Sequence, residues 1–136
     1  MLRIVLLLIA SALPVAAQDP EPLGAAEFEI LVEGRTLTYG MQGTEPYGIE
    51  HYHPDRRVTW AWAGSTECLS GRWYEEGPSD DPAICFVYDD DPSSPQCWQV
   101  YQEGERLRAV FLGGDESVLY EIGEAPDGLV CGGVGA

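Results

Sequence analysis

Ile84-Cys85-Phe86-Val87-Tyr88-Asp89-Asp90-Asp91-Pro92-Ser93-Ser94-Pro95-Gln96-Cys97-Trp98 is the stretch on which the fold turns. Alternating apolar residues lead into an acidic, proline-bounded turn and alternate again beyond it, the pattern of a β-hairpin. Centring that hairpin on Asp91 sets Cys85 directly opposite Cys97. The same register sets Ile84 opposite Trp98 on the other face, so one face carries a bridge and the other faces a core. Cys68 and Cys131 are the remaining cysteines. An even set in a small domain predicts two disulfides, Cys85–Cys97 and Cys68–Cys131, the first resting on the hairpin register and the second on what is left.

Outward from the hairpin, the chain reads as short strands separated by turn residues. The expected strands are Thr36 to Tyr39, Pro46 to His53, Arg57 to Ala63, Cys68 to Glu75, Ala83 to Asp89, Gln96 to Gln102, Arg106 to Leu112 and Ser117 to Ile122. The gaps between them are too short for a crossover helix, which excludes parallel βαβ units. The predicted fold is therefore mainly β: an antiparallel up-and-down meander of about eight strands curled into a small barrel or half-barrel. One short helix precedes it, starting near Leu23, with Ala25, Phe28, Leu31 and Val32 at helical spacing and Gly34 as its stop. A helix this short is marginal alone, so its Phe28 and Leu31 stripe must dock on the sheet.

Alternation puts Val58, Trp60 and Trp62 on one strand face, Ile84, Phe86 and Tyr88 on another, Trp98 and Val100 on a third, and Leu107, Ala109 and Phe111 on a fourth. Trp60, Trp62, Phe86 and Trp98 are assigned to one continuous core. The alternative is an aromatic-lined pocket made of the same four residues and holding a small apolar or planar ligand.

The opening residues, one charge at Arg3, an apolar run and Val15-Ala16-Ala17, read as a signal peptide spanning 1–17. Residues 18–22 are then a mobile leader, 23–123 a single barrel-like domain with its N-terminal helix, and 124–136 a frayed Gly-rich tail tied by Cys131. Periplasmic or secreted localisation follows, an oxidising setting that suits the cysteines. The chain of 136 residues carries 23 Asp and Glu against 7 basic residues, a net charge of −16. That charge opposes nucleic acid and acidic membrane surfaces as partners. No apolar run is long enough to span a bilayer, so no membrane insertion is expected.

Few residues offer chemistry. His51-Tyr52-His53 sets two imidazoles on one side of a strand, where they are weak candidates for a metal site or for a general base beside Glu50 or Asp55. The acidic turns Asp80-Asp81 and Asp89-Asp90-Asp91 lack the alternation of a calcium loop and read as solvated turns. Nucleophile motifs, CxxC pairs, phosphate loops and lysine are all absent from the sequence. No catalytic residue and no cofactor are assigned.

On Gly34-Arg35-Thr36, Tyr47-Gly48, Gly71-Arg72-Trp73, Cys85 and Cys97-Trp98, the chain resembles a family of small exported bacterial proteins known only as a domain of unknown function. The family's pattern is a short helix, Gly-x-Thr, Gly-x-Trp and a hairpin flanked by cysteines, and it covers most of the mature chain. The resemblance implies export and this type of fold, and carries no activity. The functional expectation is a monomeric, non-enzymatic binding protein of the cell envelope, its partner a protein, an envelope component or a small ligand. Two alternatives stand beside it: an envelope hydrolase or metal-binding protein using His51 and His53, and a lipocalin-like carrier with an aromatic pocket.

Overall fold

A computed structural model describes residues 12–14, 20–41, 45–115, 117–125, 128–132 and 134–135. Its elements are α1 (Ala25–Val32), β1 (Thr36–Met41), β2 (Glu45–Tyr52), β3 (Arg57–Trp62), β4 (Cys68–Glu76), β5 (Ala83–Tyr88), β6 (Gln96–Glu103), β7 (Arg106–Phe111), β8 (Val118–Glu124), β9 (Val130–Cys131) and β10 (Val134–Gly135). The eight long strands pair in sequence order, all antiparallel, and β8 returns to β1 to close the barrel. Of the two expected shapes, closed barrel and half-barrel, the closed one forms. Closure leaves none of these strands with an open edge. Register shifts in β1 between Thr38 and Gly40 accompany the seam, the usual way a strand bends to let a sheet curl.

The hairpin register is the expected one: Cys85 opposes Cys97 and Ile84 opposes Trp98. Both bridges form as expected, Cys85–Cys97 and Cys68–Cys131. Only three residue pairs join β5 to β6, however, against six on each of the neighbouring ladders β4–β5 and β6–β7. Below the bridge the two strands part, and the segment ahead of α1 reaches β6 there, Leu23 N–H donating to the Val100 carbonyl at 2.7 Å.

From that point α1 lies across one end of the barrel. Gly24 supplies no side chain to cap the helix, and the Glu75 carboxylate at the end of β4 accepts the Ala25 N–H instead, at 2.7 Å. Gly34 ends the turn after the helix with a left-handed φ of 79°, the role read from its position. Its N–H donates to the Tyr52 carbonyl at 2.8 Å. Arg56, in the β2–β3 turn, pairs with Glu29 at 3.4 Å and lies over the Trp73 ring. Phe28 projects from α1 into the barrel and meets Tyr52, Trp73 and Phe86 edge-on. The helix therefore works as a plug, tied down at both its ends and in its middle.

Several expectations are corrected. The buried stripe of α1 is Ala25, Phe28 and Val32, with Leu31 packed partly buried against the same core, and Ile30 stands 84% exposed. Glu124 belongs to β8 and not to the tail, and β9 and β10 pair as a small ribbon where a frayed end was expected. The expected signal peptide lies mostly outside the described residues, as does its cleavage site after Ala17. No described helix is long and apolar enough to cross a membrane.

Candidate functional site

A barrel of eight strands has an interior just wide enough to be filled by side chains or to hold one small ligand. Here it is not filled. A cavity of about 90 Å³ remains inside, large enough for several waters or a compact organic molecule. Its floor is Phe28 of the helix plug, and its walls come from all eight barrel strands, β4 contributing Leu69.

Of the four aromatics expected to share a core, Trp60 and Phe86 are buried and Trp98 is partly buried against Phe111, with ring centres 4.8 Å apart. Trp62 departs from the expectation: it is 47% exposed. It sits at the last residue of β3, at the end of the barrel away from α1. There its ring meets Tyr47 edge-on at 5.1 Å and Trp60 at 5.5 Å, forming an aromatic rim at the cavity mouth. All four line the cavity. Trp60 and Phe86 belong to one core with Phe28, Leu37, Val58, Trp73 and Ile84, and Trp98 packs against it, as expected.

Gly48 makes the Trp60 position possible. A Cβ at Gly48 would collide with the Trp60 indole, so the bare backbone on β2 is the seat on which that ring lies against the wall.

Two carboxyl side chains are buried in this barrel, Glu50 and Glu121. They are treated very differently. Glu121 accepts the Leu107 N–H at 2.8 Å on one oxygen and the Arg35 guanidinium at 3.3 Å on the other, so it is a satisfied tie across the β7, β8 and β1 seam. Glu50 is 2% exposed and lines the cavity. Its Oε1 accepts the Tyr88 hydroxyl at 2.9 Å, but its Oε2 has no hydrogen-bond partner among the described residues. Loss of hydration pushes its carboxyl up from an ordinary 4.5 to about 8, against the opposing effect of the Tyr88 hydrogen bond. Nearby, the Tyr39 and Tyr52 hydroxyls share a hydrogen bond of 2.7 Å. Burial raises the pKa of Tyr39, Tyr52 and Tyr88. Glu50 is thus a half-satisfied acid facing an aromatic cavity, and buried polar atoms of this kind call for an explanation.

His51 and His53 lie elsewhere. Alternation on β2 turns Gly48, Glu50 and Tyr52 inward, which sends the two imidazoles to the outer face. The expected partnership with Glu50 is therefore impossible, because the carboxyl is on the opposite side of the sheet. The rings lie 4.3 Å apart. His51 Nδ1 is hydrogen-bonded to the Thr36 hydroxyl at 2.7 Å and His53 Nε2 to the Thr59 hydroxyl at 2.8 Å. Loss of hydration lowers the pKa of His53, helped by His51 and Arg57. Among the described residues no hydrogen bond or ion pair joins either ring to Asp55. The acidic turns are engaged locally, Asp81 by the Gln99 amide and Asp91 by the Ser93 hydroxyl. Among the described residues, the ligand-type side chains that converge in a group are Glu76, Cys85 and Cys97. The two sulfurs are bonded to each other, so they offer no thiolate to a metal.

Sequence reading missed Glu50, Tyr39 and Tyr52 as members of a site. The signal was present: once Tyr52 is placed inside, a step of two along β2 puts Glu50 inside as well. In comparisons with known proteins, no family model, no curated protein and no solved structure matches the chain.

Proposed function

We propose that this chain is an exported, non-enzymatic binding protein, periplasmic or secreted, that carries a small ligand inside its barrel. The observation that carries the reading is Glu50: a buried carboxyl oxygen without a partner among the described residues, facing a cavity that neighbouring aromatics leave open. A barrel core kept only for stability would gain by filling that space and by replacing the acid with an apolar side chain. The two disulfides support export, since such bonds persist in oxidising compartments. The rim of Tyr47 and Trp62 supports a mouth at the end opposite the helix plug. The outward-facing histidines lend no support to a hydrolase working in the cavity. The family resemblance on Gly34-Arg35-Thr36, Gly71-Arg72-Trp73 and Cys97-Trp98 fits the same reading and supplies no ligand.

Titration of the native protein with a panel of compact amines, alcohols and acids tests this. A ligand in the cavity changes the indole fluorescence of Trp60, Trp62 or Trp98 and raises the melting temperature. If no member of the panel does either, the carrier reading fails.

A further inference from the structure

The chemistry of the cavity wall specifies a ligand class, given that the cavity is a binding site. Among the described residues Glu50 supplies the carboxyl of that wall, and no Lys, Arg or His side chain lines it. Arg35 and Arg56 are committed elsewhere, Arg35 to Glu121 and Glu124 at the barrel seam and Arg56 to Glu29 against the helix. Glu50 Oε2 therefore lacks both a donor and a counter-charge from the described chain.

In its ionised form Glu50 needs a donor at Oε2, which an ammonium brings together with a counter-charge. An anionic ligand would be compatible only with the neutral acid and would find no compensating cation among the described residues lining the cavity, and a purely apolar one would leave Oε2 as bare as before. The surroundings favour a cation further. Trp60 is the cross-strand neighbour of Glu50 and lines the same cavity, and aromatic rings attract ammonium groups. The net charge of −16 raises the local concentration of cations around the molecule. The volume of about 90 Å³ restricts the ligand to a compact molecule; an apolar cavity of about 150 Å³ holds benzene.

We propose that the barrel binds a compact monoamine, which donates its N–H groups to Glu50 Oε2 and rests its apolar body against Trp60, Tyr47 and Trp62 towards the mouth. Binding then exchanges one proton for another interaction: the ammonium pairs with the Glu50 carboxylate, and the proton held by the free site goes to solvent.

The proton exchange is attributable to Glu50 alone. The titratable groups facing it are Tyr88 from β5, Tyr39 from β1 and Tyr52 on its own strand, all pushed upward by burial and so neutral through mild alkali. Glu121 from β8 acts on Tyr39 and is itself held by Arg35 and the Leu107 N–H. The helix contributes the uncharged Phe28.

The probes are n-butylamine, its neutral isostere 1-butanol and its anionic counterpart butyrate. The native protein is titrated with each by indole fluorescence and by calorimetry in two buffers of different ionisation enthalpy. We expect n-butylamine to bind about tenfold or more tightly than 1-butanol at pH about 7, and butyrate to bind least. Amine binding is expected to release a proton and to strengthen with pH until the carboxyl is ionised near pH 8. Glu50→Gln is expected to abolish both the preference for the amine over 1-butanol and the proton release. Equal affinity for amine and alcohol overturns the amine assignment while leaving the carrier reading intact. Amine binding without proton release overturns the role of Glu50. Binding of none of the three is the failure of the carrier reading itself. The proton measurement uses the native chain, so it decides the matter even if Glu50→Gln does not fold.

Discussion

Replacing Glu50 by Gln should flatten the dependence of stability on pH. In the unfolded chain the carboxyl ionises at its ordinary 4.5, whereas inside the barrel it holds its proton up to about 8. Below pH 4.5 both states are protonated and the contribution to stability is fully present. Between the two values the folded state keeps a proton that the unfolded chain has released, so stability falls as pH rises. Above about pH 8 both states are ionised and the loss is complete. The interval from 4.5 to about 8, at about 1.4 kcal/mol per pH unit, corresponds to a loss of about 5 kcal/mol. This is an upper figure, since any water that reaches Oε2 reduces it. Gln has nearly the same shape and does not titrate. Repulsion among the remaining acids is common to both proteins and cancels in their difference. Urea unfolding at pH 5 and pH 9 therefore has a defined expectation: the variant gains on the parent by several kcal/mol between the two conditions, with unchanged m-values. Parallel curves for parent and variant would refute the reasoning, showing that Glu50 ionises in the folded protein as it does in water.

Trp73→Ala should cost about 3–5 kcal/mol, because this ring is buried between Phe28 and Arg56 and holds the helix plug to the barrel. Trp98→Ala should cost only roughly 1–2 kcal/mol, since Trp98 lines the cavity and is only partly buried; paired urea titrations check the order of the two. Gly48→Ala should destabilise by roughly 1–3 kcal/mol as the Trp60 indole is driven off its seat into the cavity. A fluorescence titration that finds ligand binding unchanged in this variant would contradict that placement. Removing the Cys85–Cys97 bridge by Cys85→Ala with Cys97→Ala should cost about 3 kcal/mol on the loop-entropy model. Thermal melts of the two proteins measure it, and no change in melting temperature would count against the bridge as a staple for β5 and β6.

The parts of the fold that were legible in the sequence are those set by near neighbours. Cys85 and Cys97 lie 12 residues apart, close enough for turn position and period-two alternation to settle their register. Gly34 could be read as the end of α1 because a left-handed backbone position favours glycine wherever the chain lies. The strands were bounded by turn residues, and their ends shifted by only a residue or two. The cavity was another matter. Trp62 alternates correctly with Trp60, yet at the last residue of β3 it stands half-exposed, and alternation specifies a face without specifying depth along the barrel axis. Glu50 was weighed as a partner for the histidines beside it in sequence. In the barrel wall, adjacent residues point to opposite sides, so the nearest residues along the chain are the ones it cannot reach.

By itself, then, the sequence determined the antiparallel strand order, the hairpin register, the two cysteine pairs, the helix stop and the acidic balance. All of these follow from local backbone preference, side-chain periodicity or counting. Tertiary structure alone decided that the sheet closes, because the β1–β8 ladder joins Leu37 to Glu124 and Met41 to Leu119, and hydrogen bonds between such distant segments leave no local mark on either strand. It also decided that Glu50 stands half-satisfied in a cavity while Glu121 is fully engaged. The two are both glutamates on inward-facing strand positions. What separates them is whether Arg35 and a backbone N–H arrive from other strands, and only closure of the barrel brings those groups to one carboxyl and withholds them from the other.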